Sequence, residues 1–190
     1  MATLIYMMNI SLDGYTKDEQ GSFSWGAPRE EELQQWLYAY VSSFSTLLYG
    51  RRMYETMLYW ETAHTLPDQE PHEIDFARAW QAAEKIVFSR TLTEPASART
   101  TIHHDLNPEA LRQLKAQKQG VIAISGPQLA AQVLQAGLVD ELQMRICPVV
   151  VGGGTRYLPG NLRLNLELVD EKHFRCGDIF LRYAIRDVLQ

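Results

Sequence analysis

Three short apolar runs in this chain each end at a small polar turn, and this arrangement constrains the fold more than any other feature. The runs cover residues 46–49, 86–88 and 121–124. Each run has the length of a buried β-strand, and the first and third are followed by helical spacing. In an open α/β sheet the carboxyl ends of neighbouring strands line one crevice, where ligands usually bind. The pattern therefore predicts an α/β domain with a ligand site at one rim of its sheet.

The turns that follow these strands carry groups suited to an anion. They are Gly50-Arg51-Arg52, Ser89-Arg90 and Ser125-Gly126-Pro127-Gln128. A strand that ends where a helix begins leaves backbone N–H groups free at the positive end of the helix dipole. Arginine adds a planar fork that holds phosphate oxygens in pairs. Three such turns in one small domain favour a ligand with several phosphates, and a phosphorylated dinucleotide fits.

Composition limits the class of protein. The 190 residues predict a single domain over residues 1–190, and the apolar and charged fractions of 46% and 22% are ordinary for a globular protein. A net charge of −5 argues against a general nucleic-acid surface. No apolar stretch is long enough for a membrane span, and no secretory signal is evident, so a cytoplasmic location is expected. The two cysteines lack metal-like spacing, so no metal site is predicted.

The order of elements predicts a mainly parallel sheet that ends in antiparallel strands. Strands are expected at residues 4–10, 46–49, 85–88, 100–103, 121–124, 142–151, 164–174 and 179–186. Helices are expected at residues 30–43, 51–58, 76–83, 107–120 and 127–136, with loops at 18–28 and 59–73. No helix separates the last two strands, which favours a hairpin between them. Trp25 and Trp60 fall in the predicted loops, where an exposed aromatic side chain favours a ligand or a partner.

Four segments carry a resemblance to a known family. They read MNISLDGY at 8–15, LYGRRMYE at 48–55, KIVFSRTL at 85–92 and GLVDELQMRICPVVVGGG at 137–154. In this order and at these distances they resemble the dihydrofolate-reductase-like superfamily. The greater likeness is to the reductase domain of the riboflavin-biosynthesis deaminase/reductase and its stand-alone relatives. The resemblance implies a dihydrofolate-reductase-like fold with helices on both faces of the sheet, an NADPH cofactor, a small-molecule substrate and a homodimer.

The resemblance also implies roles for single residues. Three groups of strand-end residues would approach the cofactor phosphates, the adenosine ribose phosphate and the pyrophosphate. In that order the groups are Gly50, Arg51 and Arg52; Ser89 and Arg90; and Ser125, Gly126 and Gln128. The arginines of the first group favour a 2′-phosphate, and so NADPH over NADH. The third turn departs from the family, which usually has consecutive glycines there, because Ser125 and Pro127 flank a single Gly126. Pro127 also lacks an N–H donor.

Two sites, Asp13 and the pair Gly152 and Gly153, each have two possible interpretations. Asp13 matches the family's acid and is the candidate catalytic proton donor, or else it hydrogen-bonds backbone amides of its own turn. Gly152 and Gly153 let the backbone approach the nicotinamide of the cofactor, or else they form a structural turn. No acid of the first predicted helix lies in register with the one that meets the pterin in dihydrofolate reductases. Folate reduction is therefore not favoured.

Two functions from different classes remain open. The first is an NADPH-dependent oxidoreductase that transfers a hydride to a small heterocyclic, carbonyl or imine substrate. The alternative is a non-catalytic NADP(H)- or nucleotide-binding module, or a sensor, of the same fold. The altered turn at residues 125–127 favours the alternative, while the arginines favour cofactor binding in both. For the homodimer, strands 142–151 and 179–185 would extend across a two-fold axis, or else fill the core of one protomer.

Overall fold

Ten β-strands and six α-helices lie within residues 1–188, the part of the chain that the computed structural model describes. The strands are β1 Thr3–Ser11, β2 Tyr15–Lys17, β3 Thr46–Gly50, β4 Glu84–Phe88, β5 Thr100–His103, β6 Val121–Ser125, β7 Glu141–Cys147, β8 Thr155–Arg156, β9 Leu164–His173 and β10 Ile179–Val188. The α-helices are α1 Glu31–Ser42, α2 Arg51–Met57, α3 Tyr59–Thr62, α4 Pro71–Ala82, α5 Pro108–Gln117 and α6 Pro127–Gln135. Short 3₁₀ helices cover Ser24–Gly26 and Ala63–Thr65. No helix in the described range combines the length and apolar character that a membrane crossing requires.

The central sheet is mainly parallel, as the sequence predicted. Its eight strands follow the order β5-β4-β3-β6-β1-β7-β10-β9, and the pairs from β5 to β7 are all parallel. β10 runs antiparallel to both β7 and β9. The turn between β9 and β10 closes where Phe174 N–H donates to the Asp178 carbonyl at 3.0 Å, and Gly177 there has φ +91°. The expected hairpin is therefore confirmed.

Helices cover both faces of this sheet. Successive side chains of β1 point to opposite faces, so Leu4 and Tyr6 pack in one apolar cluster and Ile5 and Met7 in another. The first cluster includes apolar side chains of α5 and α6, and the second includes side chains of α1 and α4. The carboxyl ends of the parallel strands, where the sequence predicts a ligand site, form one rim of the sheet between these two layers.

The segment 59–73, predicted as a loop, contains helical structure. It holds α3, the second 3₁₀ helix and the first turn of α4, which begins at Pro71 rather than near Phe76. A capping box starts α4, because the side chains of Glu70 and Glu73 each accept from the other's backbone N–H, with proline at the first helical position. The ring of Trp60 then packs edge-on against Phe76 at a centroid distance of 4.6 Å. The residues of this capping box and the proline can be identified in the sequence, whereas the tertiary packing of Trp60 cannot.

One expected strand boundary at the C-terminal end was wrong, and the structure favours one of the two interpretations of strands 142–151 and 179–185, namely that they fill the core of one protomer. The strand predicted at 142–151 ends at Cys147, since the following Pro148 cannot donate to a sheet ladder. β7 and β10 lie inside the sheet, each with neighbours on both sides, so they do not present a free edge for a two-fold axis. The terminal strand on that side is β9. The separate β2–β8 sheet was not predicted, because its strands have only three and two residues.

Candidate functional site

A cleft of about 1060 Å³ opens over the carboxyl ends of the central strands. The structure brings most of the predicted cofactor-binding residues together along it. Those that line it are Gly50, Arg51, Arg52, Ser89, Arg90, Gly126 and Gln128. The three turns meet there because β4, β3 and β6 are adjacent in the sheet.

Arginines make one end of the cleft basic. Arg51 donates from Nε to Glu55 at 2.7 Å and from Nη1 to Thr91 at 2.8 Å, and its Nη2 has no partner among residues 1–188. Arg90 pairs with Asp105 at 2.6 Å, and its side chain is 76% exposed. Arg52 is exposed at the start of α2. Exposed ion pairs contribute little free energy, so a bound anion can compete for these guanidinium groups.

Ser89 organises the turn beside the arginines. Its side-chain oxygen accepts the backbone N–H groups of Thr91 and Leu92 at 3.2 and 3.0 Å, which is a serine turn. The residue is buried. The turn fixes the Thr91 hydroxyl that Arg51 contacts. Ser89 therefore shapes the basic end through backbone hydrogen bonds.

The third turn joins β6 to α6 in a conformation that requires glycine. Gly126 has φ +110° and ψ +118°, and Pro127 follows at the first helical position. The Gly126 N–H points at the Met8 sulfur at 3.3 Å, a weak acceptor that a stronger one can replace. Ser125, predicted beside it, pairs with Tyr49 in the sheet and is absent from the residues that line the cleft.

An aromatic wall forms the other end of the cleft. Five consecutive residues, Phe23–Ala27, make this wall, and Trp60, Met53 and Met57 line the cleft from the helices after β3, with Met53 beside Gly126. Both tryptophans that the sequence singled out line the cleft. The contributions of Phe23, Ser24 and Ala27 were not predicted, because a loop of this composition carries no periodic signal.

The two ends lie along one rim of the sheet. The wall at Gly26 sits close to Asn9 of β1 and Cys147 of β7, within 4.0 Å of a Cβ built on the glycine. The basic end begins at β4 and β3. From β4 to β1 is three strand spacings, or about 14 Å. The cleft is therefore long, with three arginines at one end and the Phe23–Ala27 wall at the other. Lys17, which also lines it, lies over the Phe23 ring at 5.1 Å and adds a cation beside the wall.

Asp13 lies outside the cleft-lining set, and its carboxylate holds two turns together. It accepts the backbone N–H groups of Gly152 at 2.7 Å and Val151 at 3.2 Å. A hydrogen bond from the Ser11 hydroxyl, together with these amides, lowers the pKa of Asp13 below its usual value. A proton donor needs a raised pKa, so the geometry supports amide binding rather than acid catalysis. These amides belong mainly to the turn at residues 151–152, and not to the turn that contains Asp13 itself.

The glycine run after β7 is also outside the cleft lining. Gly152 has φ +79° and receives Asp13, while a Cβ on Gly153 would meet the end of the Glu19 side chain at 2.6 Å. Gly154 was not predicted, yet a Cβ there would lie 2.1 Å from the Lys17 carbonyl oxygen. The run lets this turn approach β2 closely. The structural interpretation of Gly152 and Gly153 accounts for these contacts.

Known proteins resemble the chain over nearly its whole length. YyaP, an uncharacterized protein of Bacillus subtilis (strain 168), is 24% identical over 181 residues, which is 95% of this chain and 93% of YyaP. A protein of Shewanella sp. PV-4 assigned to riboflavin biosynthesis superposes with a TM-score of 0.74 at 19% identity, covering 98% of this chain and all of its own. The dihydrofolate reductase of Enterococcus faecalis, solved with NADP(H), gives a TM-score of 0.61 at 14% identity and 97% coverage of each chain.

The structural likenesses confirm the dihydrofolate-reductase-like fold. The RibD C-terminal domain family matches residues 2–180. That range includes the three strand-end turns and the aromatic wall. The chain therefore belongs to the RibD C-terminal domain family, a family of reductase-like domains.

Proposed function

We propose that this protein is an NADPH-dependent reductase that transfers a hydride to a small heterocyclic, carbonyl or imine substrate. The observation that carries the proposal is the long cleft, with Arg51, Arg52 and Arg90 at one end and the aromatic wall at the other. Its family and the fold of a reductase solved with NADP(H) support the same conclusion.

The residues present fit such a cofactor. Arg51 and Arg52 would hold the 2′-phosphate, because a guanidinium presents paired donors to phosphate oxygens. The turn at Ser89-Arg90 would receive the adenosine ribose, and Gly126 with Gln128 the pyrophosphate. At Gly126 the backbone stands open to a ligand, since a Cβ there would reach only Met53, at 3.6 Å. The spacing of the strand ends suits an extended dinucleotide.

The chain's own part in the reaction would be alignment and exclusion of water. When bound, the cofactor supplies the hydride. Trp25, Trp60 and Met57 would hold a flat ring against the nicotinamide end and keep bulk water away. The carboxylates among the cleft-lining residues of the described chain, Glu55 and Asp105, both pair with arginines at the basic end. Proton delivery would then fall to neutral donors or water.

A binding module without turnover is the second candidate. The observation that favours it is Asp13, whose carboxylate is committed to the amides of Val151 and Gly152. Measuring NADPH consumption against pterins, pyrimidinones and quinones separates the two. A reductase consumes NADPH with at least one class of substrate, whereas a module binds NADPH and consumes none.

The cofactor assignment is tested by titrating the protein with NADPH and NADH while following its fluorescence. Arg51→Ala and Arg52→Ala should each weaken NADPH binding about tenfold, since each removes a charged hydrogen bond to phosphate, and should weaken NADH binding less. Arg112→Ala is the matched control, because Arg112 pairs with Glu109 on α5 and does not line the cleft. Equal losses for both cofactors would contradict the 2′-phosphate role.

A further inference from the structure

A fully buried arginine lies beneath the aromatic end of the cleft. Arg145 is on β7, its side chain is 0% exposed, and it forms an ion pair with Asp178 at 2.9 Å. Removing two charges from water is costly, and an apolar pair of the same volume is often no less stable. Stability alone therefore does not explain why an arginine stands here.

The guanidinium group joins three segments that are distant in sequence. Nε donates to the Asn9 side chain at 3.0 Å, Nη1 donates to Asp178, and Nη2 donates to the Gly26 carbonyl. Asn9 belongs to β1 and Asp178 to the turn between β9 and β10. Two of the three partners, Asn9 and Gly26, line the cleft.

The bond to Gly26 anchors a wall that makes few other hydrogen bonds. Among residues 1–188, the remaining hydrogen bonds made by residues 22–27 stay within residues 18–27. The bond from Arg145 is the one that connects this segment to the central sheet. The segment carries Phe23 and Trp25 into the cleft, so this hydrogen bond ties both side chains to the sheet.

We propose that Arg145 is a positioning residue that holds the aromatic wall, Phe23–Ala27, at the end of the cleft opposite the arginines. The inference rests on the proposed function, because it assigns the wall to the nicotinamide end of the cofactor. Arg145 itself does not touch the ligand. It acts through the Gly26 carbonyl and the Asn9 side chain, which fix the wall to β1.

The test uses two probes that occupy different lengths of the cleft. Adenosine 2′,5′-bisphosphate would fill only the basic end, whereas NADPH needs the wall as well. Arg145→Lys keeps the charge but carries its donors on a single nitrogen, so it cannot span Asn9, Asp178 and Gly26 as the three guanidinium nitrogens do. It should therefore weaken NADPH binding about tenfold or more and leave the bisphosphate unchanged. Acrylamide quenching of Trp25, obtained by difference from a Trp25→Phe background, should rise in the same variant.

Lys115→Met is the matched control. Lys115 is another buried cation that pairs with an aspartate, at 2.8 Å from Asp140, and neither residue lines the cleft. This variant should lose stability while both probes and the Trp25 quenching stay as in the parent protein. A purely structural role for Arg145 predicts the same behaviour for the two variants.

The outcomes separate the two proposals. If Arg145→Lys binds NADPH as well as the parent does, the positioning role is wrong while the reductase proposal stands. If the parent protein binds neither probe, the proposed function fails first. Should Arg145→Lys not fold, Arg145→Met combined with Asp178→Asn removes both buried charges together and is read in the same way.

Discussion

Asp13 and Arg145 are both charged residues beside the cleft, and their surroundings give them different tasks. The carboxylate of Asp13 is held by backbone amides and the Ser11 hydroxyl, and these bonds favour its ionised form. Arg145 donates from each of its three guanidinium nitrogens to a polar partner. In each case the side chain joins segments of backbone. Neither residue is itself among those that line the cleft.

The lowered pKa of Asp13 predicts how the stability of the protein depends on pH. Its folded-state pKa lies below the ordinary 3.8, so the stabilisation is complete above that pH and is lost as pH falls through the folded value. Asp13→Asn should lower the free energy of unfolding at pH 7, and the difference should close below about pH 4. Urea unfolding at a series of pH values measures this difference in the free energy of unfolding. Glu94→Gln, at an exposed carboxylate, is the control, and parallel curves for Asp13→Asn and the parent would contradict the assignment.

At the scale of elements, the junctions between strands and helices carry the site. β3 passes directly into α2 at Gly50, and β6 passes into α6 at Gly126. The two glycines differ in conformation. Gly50 has φ −79° with open space around it, while Gly126 has φ +110°, which side chains of L-residues rarely adopt. Only the second junction depends on glycine for its backbone.

This difference predicts unequal costs for the same substitution. Gly126→Ala should destabilise the protein by about 1–3 kcal/mol through backbone strain, since the new Cβ meets Met53 at an ordinary 3.6 Å. Gly50→Ala should change stability by no more than about 0.5 kcal/mol. Chemical denaturation of both variants compares them. A similar cost at the two positions would mean that the turn before α6 is not strained.

At the scale of the whole molecule, the outermost strand is unusually exposed. β9 pairs with β10, and Leu166, Leu168 and Val169 on it are 40%, 46% and 46% exposed. A register shift places Val169 in a bulge, a feature that discourages pairing along a strand edge. Leu166 and Leu168 share one face of the strand. We propose that the protein forms a homodimer through this face.

The dimer proposal predicts that a charge placed on this face of β9 weakens self-association in solution. Leu168→Glu should raise the dimer dissociation constant about tenfold or more, because it places a charge in an apolar contact. Sedimentation velocity over a concentration series measures this change. Leu66→Glu makes the same substitution at a comparably exposed leucine, 43%, far from β9 in sequence, and should have no effect. A parent protein that sediments as a monomer throughout would rule the dimer out.

Local patterns were enough to predict most of the fold and the basic end of the cleft. Apolar runs of strand length, the proline at the start of α5 and the glycine after α6 depend on neighbours in sequence. Gly50 and Ser89 were found because each directly follows such a run, and Arg51 because it comes directly after Gly50. The β2–β8 pair and the Phe23–Ala27 wall escaped prediction, since neither has a period that distinguishes it from a loop.

The amino-acid sequence by itself determined the α/β class, the family and the arginine-bearing turns, because periodicity and short motifs act over a few residues. Only the tertiary structure decided that Asp13 holds backbone amides, that β7 and β10 lie inside the sheet, and that Arg145 meets Gly26 across 119 positions of chain. Those facts depend on which distant segments are packed together. Contacts of that range leave no mark in a local pattern.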